Sequence, residues 1–205
     1  MTVFHLLRHA SHGELGTILT GRRSQIALTA AGRLEARRLG RHIARLQVDA
    51  LKTSPRLRAR QTAEIIAMET GLEAGIAEEL DEIDFGCWSG LPFEALSADP
   101  TWRQWNAERD IAATPAGDTM EKVALRFGDL VNRLRQEHAG LTVALVSHSD
   151  VIKAGLCHFL NWRFSSVHDF EIRPASLTTL VFGEEGCSLH LLDYSPLSAG
   201  TETAA

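Results

Sequence analysis

The chain has little of what marks several large classes of protein. No stretch approaches the roughly 18 to 20 apolar residues needed to span a bilayer. Its first residues, Met1-Thr2-Val3-Phe4-His5-Leu6-Leu7-Arg8, offer neither a basic leader nor a long apolar run, so no signal peptide and no membrane partner are expected. Cysteine is scarce and odd in number: Cys87, Cys157 and Cys187 are widely spaced, with no CxxC pair. That pattern argues against a disulfide framework or a cysteine zinc site and fits reduced thiols in a cytoplasmic protein. Internal repeats and low-complexity linkers are missing as well.

What is present suits one globular domain over residues 1–196, followed by a small, polar, flexible tail over 197–205. The composition, 44% hydrophobic and 23% charged, is far from that of a disordered chain. The formal net charge of -5 hides an asymmetry: residues 1–60 hold twelve Arg or Lys against three acids, and 61–205 hold nine against twenty-three. Arg33, Arg37, Arg38, Arg41 and Arg45 share one helical stretch and account for much of it as a solvated face. An acidic protein with one basic segment does not suit general nucleic-acid binding, but it leaves room for a local anion pocket.

Short apolar runs alternate with helical patterns, which implies an α/β fold with a mostly parallel sheet. Strands are expected at Val3–Leu7, Ala50–Ser54 and Thr142–Ser147. Helices are expected after Thr29 as N-cap, over Leu57–Thr70 with Gly71 as the stop, after Asp118 in a capping-box spacing, and from Asp150 to Leu160. Leu177–Phe182 and Leu189–Tyr194 read as a hairpin. Residues of about 87–117, with Trp88, Trp102 and Trp105, read as an inserted helical and loop cap.

Unusual polar residues appear where three strands end: Arg8-His9, Ser54 with Arg56 and Arg58, and Ser147-His148. Ligands of open α/β sheets bind beyond the carboxyl ends of strands, so these segments can converge on one crevice. Two histidines and several arginines match a phosphoryl group. Imidazole attacks phosphorus as a neutral nucleophile, and guanidinium groups hold the oxygens in bidentate fashion. A leaving alkoxide needs a proton, and the stretch Leu80-Asp81-Glu82-Ile83-Asp84-Phe85-Gly86 supplies carboxyl candidates. Each element alone has a plainer reading as core histidine, surface arginine or solvated acidic face. Their joint occurrence at three strand ends favours function.

These residues also resemble a known family. Leu6-Leu7-Arg8-His9-Ala10, Leu28-Thr29-Ala30-Ala31-Gly32, Ser54-Pro55-Arg56-Leu57-Arg58-Ala59-Arg60-Gln61-Thr62-Ala63, Glu82-Ile83-Asp84-Phe85-Gly86-Cys87-Trp88-Ser89-Gly90 and Val146-Ser147-His148 run in the order of the histidine phosphatase superfamily, the phosphoglycerate mutase-like proteins. The resemblance implies a three-layer α/β/α sandwich with one antiparallel edge strand. It also implies a phosphatase of the compact branch, hydrolysing phosphate monoesters of small metabolites through a phosphohistidine, with no metal or organic cofactor.

It makes His9 the nucleophile, Arg8 and Arg58 the phosphate ligands, and Glu82 the general acid and base. His148 completes the pocket, and a homodimer is compatible with the family. Alternatives are a cofactor-dependent mutase, a metal-dependent hydrolase using His9, His12 and His148, and a non-catalytic phosphate-binding relative. The chain departs from the pattern at Ala10-Ser11-His12, at Leu15 where an Asn often helps bind phosphate, and at Ser149-Asp150. Asp150 is then either a helix N-cap or an extra carboxylate near the pocket. Substrate selection is assigned to 10–27 and 87–117, with the three tryptophans either an apolar wall or packing.

Overall fold

The computed structural model describes residues 1–196; the expected tail at 197–205 lies outside the described residues. Six strands form one sheet in the order β3-β2-β4-β1-β5-β6. They are β1 Thr2–Arg8, β2 Ala50–Thr53, β3 Ala74–Ile76, β4 Thr142–Ser147, β5 Leu177–Gly183 and β6 Gly186–Tyr194. The first four are parallel; β5 runs antiparallel to β1, and β6 pairs antiparallel with β5 at the edge. The expected hairpin forms, closing through Glu184-Glu185 alone.

The helices are α1 Ala30–Arg45, α2 Leu57–Thr70, α3 Phe93–Ala98, α4 Pro100–Ala107, α5 Met120–Glu137 and α6 Ser149–Leu160. Alternate residues of the central strands supply two cores. Leu7, Leu51, Ala144, Val146 and Leu177 pack with α1 and α2. Phe4, Leu6, Val143, Leu145, Leu180 and Phe182 pack with α5, α6 and the tryptophan region. Side chains of a strand alternate between faces, so a continuous apolar run such as β4 feeds both layers.

Two helix starts differ from expectation. Thr119, not Asp118, caps α5, its hydroxyl accepting from the Lys122 N–H at 3.1 Å. Asp118 is turned inward instead, accepting from the Asp84 N–H at 2.8 Å and facing Arg22. At α6 the N-cap position belongs to His148 rather than Asp150, and no side chain caps it.

Parallel pairing brings the strand ends side by side. Arg8 is in register with Ser147, and Thr53 with Val146. The His9 N–H then donates to the Ser147 carbonyl and the Ser54 N–H to the Val146 carbonyl, both at 2.9 Å. Residues 9, 54 and 148, distant in sequence, are thus neighbours at one end of the sheet.

Candidate active site

A cavity of about 370 Å³ opens at these strand ends. Its polar lining includes Arg8, His9, His12, Arg58, Glu82 and Asp150, and its apolar lining includes Leu15, Ile18, Leu19, Phe85 and Phe93. Of residues 87–117, Phe93 alone lines it. Trp88 and Trp105 are buried in the core, and Trp102 stacks edge-on against Trp88, so the packing reading of the tryptophans holds.

Arg58 organises the polar lining although it is 1% exposed. Its Nε donates to His9 Nε2 at 3.2 Å, and its Nη2 donates to His148 Nδ1 at 3.0 Å and to the Gly21 carbonyl at 2.9 Å. Glu82 Oε2 lies 3.6 Å from Arg58 Nη2 and 3.4 Å from His148 Nδ1. Arg8 donates from Nη1 to the Ile172 carbonyl at 2.7 Å. Arg8 Nε, Arg58 Nη1 and His12 Nδ1 are buried without a hydrogen-bond partner. Unpaired buried donors are costly, and these belong to residues that line the same cavity.

The ring tautomers follow from the partners. His9 Nδ1 faces the Ala10 carbonyl at 2.9 Å; a carbonyl only accepts, so Nδ1 carries the proton and Nε2 presents a lone pair to the cavity. His148 accepts at Nδ1 from Arg58, which leaves its Nε2 to donate to Ser54 Oγ at 2.7 Å. Burial, followed by Arg58, holds both imidazoles well below the usual histidine value, so both are neutral at pH 7. His148 is fully buried behind Arg58, its ring centroid 5.2 Å from that of His9.

Burial pushes the Glu82 carboxyl up to about 7 against the opposing pull of Arg58, with Asp150 adding to the rise. Its Oε1 accepts from the Ile83 N–H at 3.0 Å, which aims Oε2 at the histidine and arginine. A carboxyl that keeps its proton near neutrality can deliver it to an oxygen.

Several supporting residues were not assigned from sequence. Arg22 and Arg56 both reach Asp81, at 3.4 and 2.8 Å, and Arg22 and Arg126 donate to the Glu82 carbonyl at 2.8 and 3.3 Å. Three arginines from distant segments thereby clamp the strip that carries Glu82. Thr62 Oγ1 accepts from the Ala10 N–H at 3.0 Å and ties the His9 loop to α2. Asp150 lines the cavity 3.5 Å from Arg109, so its place is beside the pocket rather than at the helix cap. No local spacing announces these pairs; only Thr62 and Arg56 stood inside a motif block.

Comparison with known proteins agrees with this geometry. The model of the histidine phosphatase superfamily, branch 1, matches residues 4–194. Phosphoserine phosphatase 1 of Hydrogenobacter thermophilus is 28% identical over 155 residues, covering 75% of this chain and 74% of that protein. A bifunctional protein of Mycobacterium tuberculosis is 33% identical over 143 residues, which is 69% of this chain and 39% of its own length. A solved phosphoserine phosphatase mutant from Entamoeba histolytica, in complex with phosphoserine, has a TM-score of 0.86 at 26% identity, covering 95% of this chain and 98% of that one.

Proposed function

Since the chain belongs to the histidine phosphatase superfamily, we propose that it hydrolyses phosphate monoesters of small metabolites through a phosphohistidine on His9. The observation that carries this reading is Arg58 hydrogen-bonded to both His9 Nε2 and His148 Nδ1, with the Glu82 carboxyl beside it.

The substrate's phosphoryl oxygens engage Arg8 and Arg58, which line one cavity and each hold a donor nitrogen without a partner in the protein. Arg58 exchanges its hydrogen bond with His9 Nε2 for a phosphoryl oxygen and releases the lone pair. His9 Nε2 attacks phosphorus, the P–O bond to the leaving group breaks, and Glu82 gives its proton to the departing oxygen. Water then attacks the phosphohistidine. Glu82, now a carboxylate, takes the water's proton, the P–N bond breaks, and inorganic phosphate leaves with His9 neutral again. His148 stands behind Arg58 and holds its guanidinium in place through Nδ1, supporting the phosphoryl pocket from the second layer.

The buried Arg58 and half-buried Arg8 guanidinium groups at the cavity favour an anion and oppose a divalent cation, which supports chemistry without a metal or organic cofactor. The described residues form one sheet with cores on both faces, which supports a single domain. No described helix is long and apolar enough to cross a membrane. The three free thiols fit a cytoplasmic location.

The test is a phosphatase screen over phosphorylated metabolites together with 32P labelling quenched at alkaline pH, run beside His9→Ala. The wild type releases phosphate and shows a transient acid-labile label; His9→Ala shows neither. Labelling that survives His9→Ala overturns the assignment. With 3-phosphoglycerate and 2,3-bisphosphoglycerate, isomerisation outpacing phosphate release would make the chain a mutase.

A further inference from the structure

Resting on the phosphohistidine reading, we propose that His12 is a further substrate-binding residue whose imidazole N–H holds one peripheral oxygen of the substrate's phosphoryl group, beside Arg8 and Arg58. His12 is 6% exposed and lines the cavity, its ring centroid 5.3 Å from that of His9. Its Nδ1 is buried and finds no partner in the protein. A polar ring held in a reaction cavity without a partner is complementary to something that enters it, and a phosphoryl oxygen only accepts.

The neighbours leave His12 as the free side chain on this stretch of the lining. Ser11 is spent: its N–H donates to Glu35 Oε2 at 2.9 Å and its hydroxyl to Glu35 Oε1 at 3.0 Å. Leu15 and Ile18 bring only carbon to the same lining.

The backbone that carries the ring is fixed on both sides. The Thr29 N–H donates to the Ser11 carbonyl at 3.1 Å, His12 bridges to Leu28, and the Leu15 N–H donates to the His12 carbonyl at 3.2 Å. Such anchoring is what a positioned ligand group requires, since orientation set before binding strengthens recognition. Burial, then Arg58 and Arg8, hold the imidazole down to about 4, so it acts at neutral pH as a neutral donor with one N–H to give.

The experiment measures inhibition of p-nitrophenyl phosphate hydrolysis by inorganic phosphate in wild type, His12→Phe and His12→Asn. Phe keeps the volume and removes both nitrogens; Asn restores a short N–H donor. His12→Phe is expected to weaken phosphate inhibition and raise KM about tenfold with kcat within threefold of wild type, because the contact is made in ground and transition states alike. His12→Asn is expected to recover phosphate inhibition to within about threefold.

An unchanged phosphate inhibition constant in His12→Phe, with only thermal stability altered, overturns the proposal. So does equal weakening in both variants. If His12→Phe does not fold, His12→Ala is read by the same criteria. Loss of His12 function is distinct from failure of the phosphohistidine reading, which would show as absent labelling in the wild type.

Discussion

At the scale of single residues, Glu82 makes the sharpest commitment. Its carboxyl is raised to about 7, chiefly by burial, so it is a competent acid below that pH and loses its proton above it. The wild-type kcat/KM on alkyl phosphates is therefore expected to fall as pH rises through about 7, and Glu82→Gln is expected to remove that limb. Loss of the proton donor costs about 10²–10⁴-fold on alkyl esters. The loss is smaller on p-nitrophenyl phosphate, whose leaving group departs without a proton. A pH–rate profile of both enzymes on both esters checks this, and an alkaline limb that persists in Glu82→Gln refutes the assignment. The same shift has a stability sign: between 4.5 and about 7 the folded chain keeps a proton that the unfolded chain has lost, so Glu82's contribution declines as pH rises.

At the scale of elements, the start of α1 shows how a helix positions a loop it does not contain. Thr29 caps the helix by accepting from the Gly32 N–H at 3.0 Å, and its own N–H and hydroxyl reach the Ser11 carbonyl. A Cβ built on Gly32 would lie 2.0 Å from that carbonyl oxygen, so the glycine is required by close approach and not by backbone angle. Gly32→Ala must push the 10–12 loop away from the helix. An expected destabilisation of about 1–3 kcal/mol follows from overpacking, together with reduced kcat/KM, because His9 and His12 ride on that loop. Chemical denaturation and steady-state kinetics measure both; a Gly32→Ala protein equal to wild type in each would show that the loop is not seated by α1. The capping shift at α5 has a similar cause. Asp118 is drawn to the Asp84 backbone and to Arg22, and the neighbouring Thr119 caps the helix in its place.

At the scale of the whole molecule, the fold carries several neutral buried imidazoles, three of them at the site and His5 within β1. Burial lowers His5 and His12 to about 4 and His9 and His148 well below the usual 6.5. Below 6.5 the unfolded chain binds protons at these positions that the folded chain refuses, so each group subtracts stability as pH falls from about 6.5 towards 4. Glu82 acts in the opposite direction over part of this range, one group against these four and His42, which burial also lowers. The expected outcome is a Tm that declines steadily from pH 7 to 4.5 and recovers in part when His5→Gln or His12→Asn removes a contributor. Scanning fluorimetry across that range decides it, and a Tm that is flat or rises on acidification contradicts the balance of charges described.

The sequence by itself determined the alternation of strand and helix, the cap at Thr29, the stop at Gly71, and the polar breaks at His9, Ser54 and His148, because each depends on residues within a few positions of one another. The ordered motif blocks likewise mark Arg8, Arg58 and Glu82. Tertiary structure alone decided that Arg22, Arg56 and Arg126 clamp the Glu82 strip, that Asp150 faces Arg109, that His148 stands behind Arg58, and that His12 is left with an unpaired nitrogen. These facts join residues up to about a hundred positions apart, and their pairing follows from strand register and side-chain packing, which no local spacing records.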